Sequence, residues 1–504
     1  MESRNIRTVA IVSGGSAGWM SAAFLANTLG ASVMITLIDL GNDTACADLN
    51  ASIPPLKAYH QALGINEAEF IASTQGSMKL GSQFVNWGAL GDRYFHPHGN
   101  YGAEFDLVAL HQWWLKAKSD DSSLPDLEEF SMAWAMAREG RFSPPVPDRR
   151  MIESTYDYAY HLDGKAYAEY LAKYGQARGV IRIDAKIKAT TTDPQTGFLT
   201  ELLLNNGQSI AADLYLDCSG QDAILGQSVM QAGFESWGHY LPCNKVISLD
   251  CERGGEFSPF TRITAREAGW QWRIPLQHKT STGYVFASDL LSEDDAINTI
   301  MDNLDGRALG DPSSHSFVNG KSRQPFVKNV VAIGDAAGFL EPLEATTLHF
   351  IQSGLNRLLA LWPTRACDPK IAQAYNETTA SEWELARDLL ILHYKATSRA
   401  DAPLWRTTSD MDIPDSLKVR LHHWHSFGRL ISPKPELFQA ASWLSVLMGQ
   451  GMTPKAWDPL ADARADMVDY HAKLTGLHRI ISETASQMPL HKDWIDRHAR
   501  GAKT

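Results

Sequence analysis

The feature that most constrains the fold is an uncharged stretch that runs from Thr8 to Ile38. It is long enough to suggest a membrane span, but the Gly/Ser sequence at 13–16 and a later Gly-Ala-Ser break it. Two apolar runs, Thr8–Val12 and Val33–Ile38, flank Ala17–Leu29, which has helical character. We therefore predict a β-α-β unit of a buried parallel sheet, and neither a membrane span nor a signal peptide.

The turn inside this unit resembles the G-x-G-x-x-G motif of dinucleotide sites. A helix start offers free N–H groups to a phosphate, and Asp39 ends the second strand, where it could accept from a ribose hydroxyl. Gly15 would let backbone approach a pyrophosphate, and Ser13 replaces the first glycine of the motif. The turn residues that we predict to contact the cofactor are Ser13, Gly14, Gly15, Ser16, Ala17 and Gly18.

A second turn, with a Gly-Asp sequence, indicates which dinucleotide is bound. The short apolar strand at 330–333 runs into a Gly-Asp-Ala-Ala-Gly sequence that contains Asp335. In flavoproteins with two dinucleotide folds, a late Gly-Asp places its carboxylate near the ribityl chain and pyrophosphate of FAD. We therefore expect FAD rather than NAD, with Asp335 in the site.

Charge and cysteine content exclude several partners. The formal net charge of −12 argues against nucleic acid and an anionic membrane surface. The five cysteines are odd in number and have no CxxC spacing, which favours a cytoplasmic protein without a zinc site or disulfide framework. His422, His423 and His425 could suggest a metal site, but the apolar residues between them favour a helix face. No metal is predicted.

Three further motifs lie in order along the chain: Met78–Gly81 followed by Phe84–Gly88, the W-x-W-x-I-P sequence Trp270–Pro275, and Gly338–Glu344. Together with the glycine turn, they closely resemble the flavin-dependent halogenases of the tryptophan halogenase family. The resemblance runs from about residue 8 to 462.

The resemblance implies an α/β fold. We expect an FAD-binding lobe of the two-dinucleotide-fold type, similar to glutathione reductase and the flavin hydroxylases, with mixed sheets. This lobe would span residues 1–398. A C-terminal α-helical lobe, residues 399–504, would close the substrate site.

The resemblance also implies an activity. A separate flavin reductase supplies diffusible FADH2, which with O2 oxidises chloride or bromide to hypohalous acid. The acid passes through a tunnel to Lys79, which hydrogen-bonds it or becomes a haloamine. An electron-rich, indole-like aromatic substrate is then halogenated, and Glu344 accepts the ring proton.

Further site residues follow from the same resemblance. Ile187 and Leu348 are expected to contact the flavin, and the backbone of Thr346 and Thr347 to bind halide. The tunnel walls are assigned to Trp270, Trp272, Ile274 and Pro275, and substrate binding to His96, His98 and Trp443.

Several positions depart from the family pattern. Besides Ser13, Asn50 lies in a changed segment, and Ala345 replaces a serine that usually follows the glutamate. These changes predict weak or unusual flavin affinity, or weak coupling of the two sites. The amino-acid head-group clamp is missing, so indole, a substituted indole, a phenol and peptide-linked tryptophan stay open as substrates. The alternatives are a flavin monooxygenase and a catalytically lapsed flavin- or indole-binding protein.

Overall fold

The structure, a computed structural model, describes residues 4–13, 15–41, 50–432 and 434–499. The chain divides into two compact units. Unit 1 comprises residues 1–76, 162–246 and 314–384, and unit 2 comprises residues 77–161, 247–313 and 385–504. These units interleave along the chain, whereas the predicted boundary after residue 398 follows chain order. Residues 399–504 share unit 2 with two earlier segments.

Strands and helices are numbered in chain order. The strands are β1 (Thr8–Ser13), β2 (Met34–Asp39), β3 (Ser77–Lys79), β4 (Gly81–Val85), β5 (Arg93–Pro97), β6 (Ala159–His161), β7 (Ile181–Asp184), β8 (Ile187–Thr192), β9 (Leu199–Leu204), β10 (Ser209–Ile210), β11 (Leu214–Cys218), β12 (Phe234–Ser236), β13 (Lys245–Glu252), β14 (Thr261–Arg266), β15 (Gly269–Pro275), β16 (Lys279–Phe286), β17 (Ser313–Ser316), β18 (Gly320–Ser322), β19 (Phe326–Val327), β20 (Val330–Ala332) and β21 (Gly338–Phe339). The helices are α1 (Ser16–Leu29), α2 (Pro55–Leu63), α3 (Glu67–Ser73), α4 (Leu110–Asp120), α5 (Met132–Arg138), α6 (Gly164–Gln176), α7 (Glu293–Met301), α8 (Thr347–Ala360), α9 (Pro369–Lys395), α10 (Pro403–Asp410), α11 (Asp415–Phe427), α12 (Ala440–Gly449), α13 (Pro459–Arg464), α14 (Tyr470–Gln487) and α15 (His491–His498).

Unit 1 contains a six-stranded sheet in the order β19-β20-β11-β1-β2-β7. Strand β1 lies between β11 and β2 and is parallel to both. Its residues from Val9 to Ser13 are all buried, as expected for a strand covered on both faces. Helix α1 is also buried over most of its length, which explains why this stretch carries no charge. The predicted β-α-β unit is confirmed.

A hydrophobic cluster lies beside this sheet in unit 1. It joins Val12 and Ile38 to Leu202 and Leu204 of the three-stranded sheet β10-β9-β8. Ile187, the first residue of β8, is partly buried against this cluster. Its side chain therefore has a packing role, and its predicted flavin contact stays a prediction.

A seven-stranded sheet has the order β17-β13-β16-β15-β14-β4-β5, and the strands from β16 to β5 lie in unit 2. Strand β14 is parallel to β4 and antiparallel to β15. The register places Trp272 beside Ile263, and Ile263 beside Phe84. Paired residues of neighbouring strands point to the same face, so these side chains share one face of the sheet.

The mixed α/β architecture with a helical C-terminal region is confirmed. Two local predictions are wrong. The Gly-, His-, Tyr- and Pro-rich composition of residues 88–104 predicts a loop, but this stretch contains β5, because pairing with β4 overrides the composition. The spacing of Met467 from Leu474, Leu477 and Ile481 predicts one amphipathic helix, but Met467 lies before α14 and is 68% exposed. No helix in the described parts of the chain is long and apolar enough to cross a membrane.

Candidate active site

The turn after β1 is closed by the side chain of Ser13. Its Oγ accepts the Gly15 N–H at 3.1 Å and donates to the Gly15 carbonyl at 3.0 Å. A Cβ on Gly18 would clash with the same side chain, whereas one on Gly15 would meet no atom within 4 Å. The serine therefore shapes the turn and leaves Gly15 open to a ligand. Gly14 lies outside the described residues.

The beginning of α1 fits a phosphate group. Its N-cap, Gly15, provides no capping side chain, and the first turn contains no acidic residue. The N–H groups of Ser16 and Ala17 therefore meet neither a capping oxygen nor a repelling carboxylate, at the positive end of the helix dipole. This donor set suits the pyrophosphate of FAD.

Asp39 lies at the carboxyl end of β2. Its Oδ1 accepts the Gly41 N–H at 3.1 Å, and its Oδ2 forms an ion pair with Arg182 at 3.0 Å. Both oxygens thus have protein partners, and a ribose hydroxyl would have to share them. Each carboxylate oxygen can accept more than one hydrogen bond, so the predicted contact is compatible with this arrangement.

The Gly-Asp turn lies against the start of α1. Gly334 has φ +66°, and a Cβ there would lie 3.2 Å from the Ala17 Cβ. This glycine therefore permits both the left-handed turn and the close approach. The side chain of Asp335 is partly buried, and burial raises the pKa of its carboxyl to about 7. The fold thus brings Asp335 to the same end of unit 1 as Ser13 and Gly15.

Glu344 is buried at the end of a 3-10 turn, Pro342–Glu344. The next residue, Ala345, has φ +54° and ψ +41°, a left-handed conformation that is uncommon for a residue with a Cβ. Helix α8 then begins, with Thr346 as an N-cap that makes no side-chain cap bond. Thr347 is its first residue and Leu348 is buried in its first turn.

Asn319 holds the backbone that leads into this turn. Its Oδ1 accepts the Glu341 N–H at 2.7 Å, and its Nδ2 donates to the carbonyls of Leu241 at 3.2 Å and Cys243 at 3.0 Å. The amide is buried, so these bonds replace contacts with water. The sequence analysis did not identify Asn319.

Lys79 is 1% exposed and ends β3 in unit 2. Strand β3 pairs with β6, so that Lys79 lies opposite Ala159. The following residue, Leu80, donates its N–H to the Pro259 carbonyl at 2.7 Å, and its carbonyl accepts the His98 N–H at 2.8 Å. Lys79 is therefore a buried lysine on a fixed backbone and not a surface lysine.

A buried histidine, His161 of β6, lies opposite Ser77, the first residue of β3. Ser77 Oγ donates its single proton to the Pro275 carbonyl at 2.8 Å, so His161 Nδ1, 3.1 Å away, must donate to that Oγ. His161 Nε2 then accepts from the Thr261 hydroxyl at 3.0 Å. Burial, with a contribution from the charge of Lys79, lowers the pKa of His161 well below its usual value. His161 is therefore neutral.

A second buried histidine contacts β3 from α15. His491 Nε2 accepts the Met78 N–H at 3.1 Å, and Nδ1 lies 3.0 Å from the Phe257 carbonyl. A backbone N–H can only donate and a carbonyl only accept, so the proton of this imidazole is on Nδ1. Burial lowers the pKa of His491 to about 4, which keeps the ring neutral.

The residues predicted to hold the substrate lie on β5 and after it. Pairing with β4 puts His96 opposite Ser82 and Pro97 opposite Gly81, two to three residues from Lys79. His96 and His98 are both buried, and the His96 ring lies 6.3 Å from that of Phe438. The structure thus brings both histidines to the strand that follows Lys79, and adds Phe438 as an aromatic neighbour.

Trp443, in α12, is fully buried. Its indole N–H donates to the Phe438 carbonyl at 3.1 Å, and the Arg420 guanidinium lies 3.9 Å from the ring centre. Arg420 also forms a buried ion pair with Glu436. One face of the indole ring is therefore covered by the Arg420 guanidinium. The predicted contact with the substrate would have to use the other face or the edge of the ring.

Trp270 and Trp272 project from one face of β15, with ring centres 6.0 Å apart. Trp272 pairs with Gly283 of β16, and a Cβ on Gly283 would clash with the Trp272 ring. Gly283 therefore makes room for this indole. Ile274 and Pro275 follow on the same strand and are buried.

The site residues thus fall into two groups. Unit 1 holds the residues predicted to bind the cofactor, Glu344 and the two threonines, and unit 2 holds Lys79 and the residues predicted to line the tunnel and bind the substrate. The sequence analysis missed Ser77, His161, His491 and Gly283. Only Gly283 carries a sequence signal, since glycine inside a strand often marks a close approach.

Comparisons with known proteins identify the family to which this chain is similar. A model of the tryptophan halogenase family matches residues 8–466. Tryptophan 6-halogenase SttH of Streptomyces toxytricini is 29% identical, over 94% of this chain and 95% of the relative.

Two solved structures are similar over nearly their whole length. BrvH, a flavin-dependent halogenase from Brevundimonas sp. BAL3, has a TM-score of 0.93 and 36% identity, and the match covers 98% of this chain and 100% of that one. Xcc4156, a flavin-dependent halogenase from Xanthomonas campestris, has the same TM-score and identity, with 98% and 99% covered.

Proposed function

The chain belongs to the tryptophan halogenase family and is a flavin-dependent halogenase, and we propose that Lys79 and Glu344 carry out its chemistry on an indole-like substrate. The observation that carries this proposal is the buried Lys79 on the fixed backbone of β3. Burial of the Lys79 ammonium costs free energy because the charge loses its water. A role in the reaction explains why the chain retains a lysine at this position.

The cofactor is FAD, held in unit 1. We assign its pyrophosphate to the N–H groups at the start of α1, and its ribose and ribityl hydroxyls to Asp39 and Asp335. When bound as FADH2, supplied by a separate flavin reductase, it provides with O2 the oxidising equivalents that convert halide to hypohalous acid. The open space at Gly15 and the absence of acidic residues in the first turn of α1 support this assignment.

The halide, chloride or bromide, is assigned to the backbone of Thr346 and Thr347. The first turn of α8 contains no acidic residue and no side-chain cap, so its N–H groups suit an anion. Trp270, Trp272, Ile274 and Pro275 would line the route that the oxidised halogen follows to Lys79. Their indole rings and apolar side chains exclude water, which would otherwise compete for it.

Lys79 and Glu344 would divide the proton transfers. The Lys79 ammonium hydrogen-bonds hypohalous acid. An aromatic carbon then attacks the halogen, the oxygen–halogen bond breaks, and the departing hydroxide takes a proton from Lys79 and leaves as water. The Glu344 carboxylate accepts the proton lost by the ring. The products are the aryl halide and water.

The substrate is an electron-rich aromatic compound held by His96 and His98, with Trp443 at its edge. Imidazole rings stack on flat aromatic faces, and both histidines are buried.

We propose the cytoplasm as the compartment of this protein. The cysteines at 218, 243, 251 and 367 are buried free thiols, which suits a reducing compartment.

The decisive experiment incubates the protein with FAD, a flavin reductase, NADH, bromide or chloride, and a panel of indoles, and identifies the products by mass spectrometry. We expect halogenated indole from the wild type. Lys79→Met should lower product formation at least ~100-fold, as expected for loss of a catalytic proton donor, while FAD binding is unchanged. Hydroxylated product would instead favour a monooxygenase, and the absence of any product a binding protein.

Lys321→Met is the matched control, because Lys321 is also buried. Its ammonium forms ion pairs with Glu235 at 3.4 Å and Glu384 at 3.2 Å. This variant should be less stable and still halogenate. Retained halogenation in Lys79→Met would contradict the role of Lys79.

A further inference from the structure

The strand that carries Lys79 is short and needs support besides its pairing. Strand β3 has three residues and pairs only with β6 among the described strands. In an antiparallel pair, alternate residues turn their N–H away from the partner strand. Met78, the residue before Lys79, donates its N–H to His491. The backbone on this side of Lys79 is therefore held by a side chain from the far end of the chain.

The His491 imidazole connects three segments of unit 2. It is fully buried, and its ring stacks on Phe257 with centres 4.6 Å apart. Nε2 accepts from Met78, and Nδ1 donates to the Phe257 carbonyl. Both nitrogens are used, and only one tautomer of the neutral ring allows both bonds.

The docking of α15 does not depend on this imidazole. The His491 backbone N–H donates to the Gly140 carbonyl at 2.8 Å, and the Phe142 N–H donates to the Pro489 carbonyl at 3.1 Å. Trp494 and Ile495 are buried from the same helix. A side-chain substitution at 491 therefore leaves α15 attached while it removes the bond to Met78.

We propose that His491 is a positioning residue for halogen transfer: by holding the Met78 N–H it fixes the direction in which β3 presents Lys79. The proposal rests on the role of Lys79 proposed above. His491 itself touches neither substrate nor halogen. Since misplacement of a reacting group by about 1 Å can cost about 100-fold in rate, a loosened β3 should waste oxidised halogen rather than lower substrate affinity.

Three variants and one control test this. His491→Leu removes both bonds, and His491→Asn is too short to reach both partners. In His491→Gln the amide oxygen can accept from Met78 and the amide nitrogen can donate to Phe257. His498→Leu is the matched control, because His498 lies on the same helix, stacks on Trp494 at 4.1 Å and has no bond to β3.

The first readout is hydrogen exchange of the peptide that contains the Met78 amide, measured on the full-length protein without substrate. We expect exchange at Met78 to rise at least ~10-fold in His491→Leu and His491→Asn, because the amide loses its acceptor. It should return close to the wild-type rate in His491→Gln and stay there in His498→Leu. Unchanged protection in both His491→Leu and His491→Asn would overturn the proposal without reference to catalysis.

The second readout is halogenated product formed per FADH2 oxidised, with free hypohalous acid captured by a chemical trap. His491→Leu should give about tenfold less product per FADH2 and more trapped acid, with an unchanged KM for the indole. His491→Gln should recover most of the product. Normal coupling in His491→Leu, or equal losses in the Leu and Gln variants, would refute a positioning role.

Two checks separate the possible failures. If His491→Leu does not fold, as judged by circular dichroism and thermal unfolding, His491→Asn decides both readouts. If Lys79→Met halogenates as well as the wild type, the proposed role of Lys79 fails, whatever the His491 variants do. If Lys79→Met is inactive while His491→Leu and His491→Asn couple normally, only the positioning role fails.

Discussion

The strand that carries Lys79 and the turn that carries Glu344 are both buried, but they are held in different ways. Side chains far away in sequence hold β3: His161 through Ser77, and His491 through Met78. The Glu344 turn depends on its own backbone, with Ala345 in a left-handed conformation, and on the Asn319 amide.

The difference teaches what each segment responds to. The bond from Met78 to His491 requires a neutral imidazole, because a protonated Nε2 cannot accept. His161 donates to Ser77 through Nδ1 and accepts from Thr261 through Nε2, so its protonation breaks the hydrogen bond from Thr261.

The Glu344 turn is held by an amide and by backbone geometry, neither of which titrates. The position of Lys79 is therefore expected to depend on pH through the histidines that hold β3. The stability of the Glu344 turn depends instead on which residue occupies position 345.

After Lys79→Met, the largest effect is expected for Glu344→Gln. The amide keeps the shape of the side chain but does not accept a proton as a carboxylate does. Product formation should fall about 100-fold, the lower end of the usual contribution of general base catalysis. Turnover of a single indole substrate under saturating halide measures this. Activity within threefold of the wild type would remove Glu344 from the mechanism and leave Lys79 as the only assigned group.

The next effect is acid destabilisation of the β3 supports. Unfolded His491 binds a proton near pH 6.5, whereas the folded residue binds one only near pH 4. Its stabilising contribution is therefore complete above about pH 6.5 and is lost as the pH falls towards 4. Between pH 8 and pH 5 this amounts to about 2 kcal/mol of unfolding free energy.

Urea unfolding at a series of pH values tests this. The free energy of unfolding of the wild type should fall as the pH is lowered from 8 to 5. His161 contributes to this fall as well, because its pKa is also lowered. His491→Gln should show a pH dependence that is smaller by about the same 2 kcal/mol. An identical pH dependence in both proteins would contradict the neutral state assigned to His491.

The smallest effect is a change in the free energy of unfolding on substitution of Ala345, in the turn that carries Glu344. Its left-handed conformation disfavours a residue with a Cβ by about 1 kcal/mol, so Ala345→Gly should raise the free energy of unfolding by about 0.5 kcal/mol after the entropy cost of glycine. Ala337→Gly is the matched control, because Ala337 is right-handed with φ −83°. It should lower stability by about 0.5–1 kcal/mol. Equal effects at the two positions would show that Ala345 is not strained.

The N-terminal part of the fold could be predicted from the sequence. The Thr8–Ile38 stretch and its glycine turn gave β1, α1 and β2 nearly to the residue, because near neighbours in the chain determine both the periodicity and the turn. The apolar pattern of Trp270–Ile274 likewise predicts β15. Lys79 by itself is typical of a surface lysine, and only the resemblance to the family favoured a buried one. Strand β5 was missed, because only its pairing with β4 makes an extended strand of that composition.

The sequence by itself thus determined the family and its dependence on a flavin, since these are written in contiguous motifs, and it predicts which residues carry the chemistry. The tertiary structure alone decided how those residues are held. The bond between His491 and Met78 joins residues 413 positions apart, and that between His161 and Ser77 joins residues 84 apart. Burial keeps such a histidine neutral at lower pH, and only the folded chain places its partners within hydrogen-bond distance, so no local pattern records either condition.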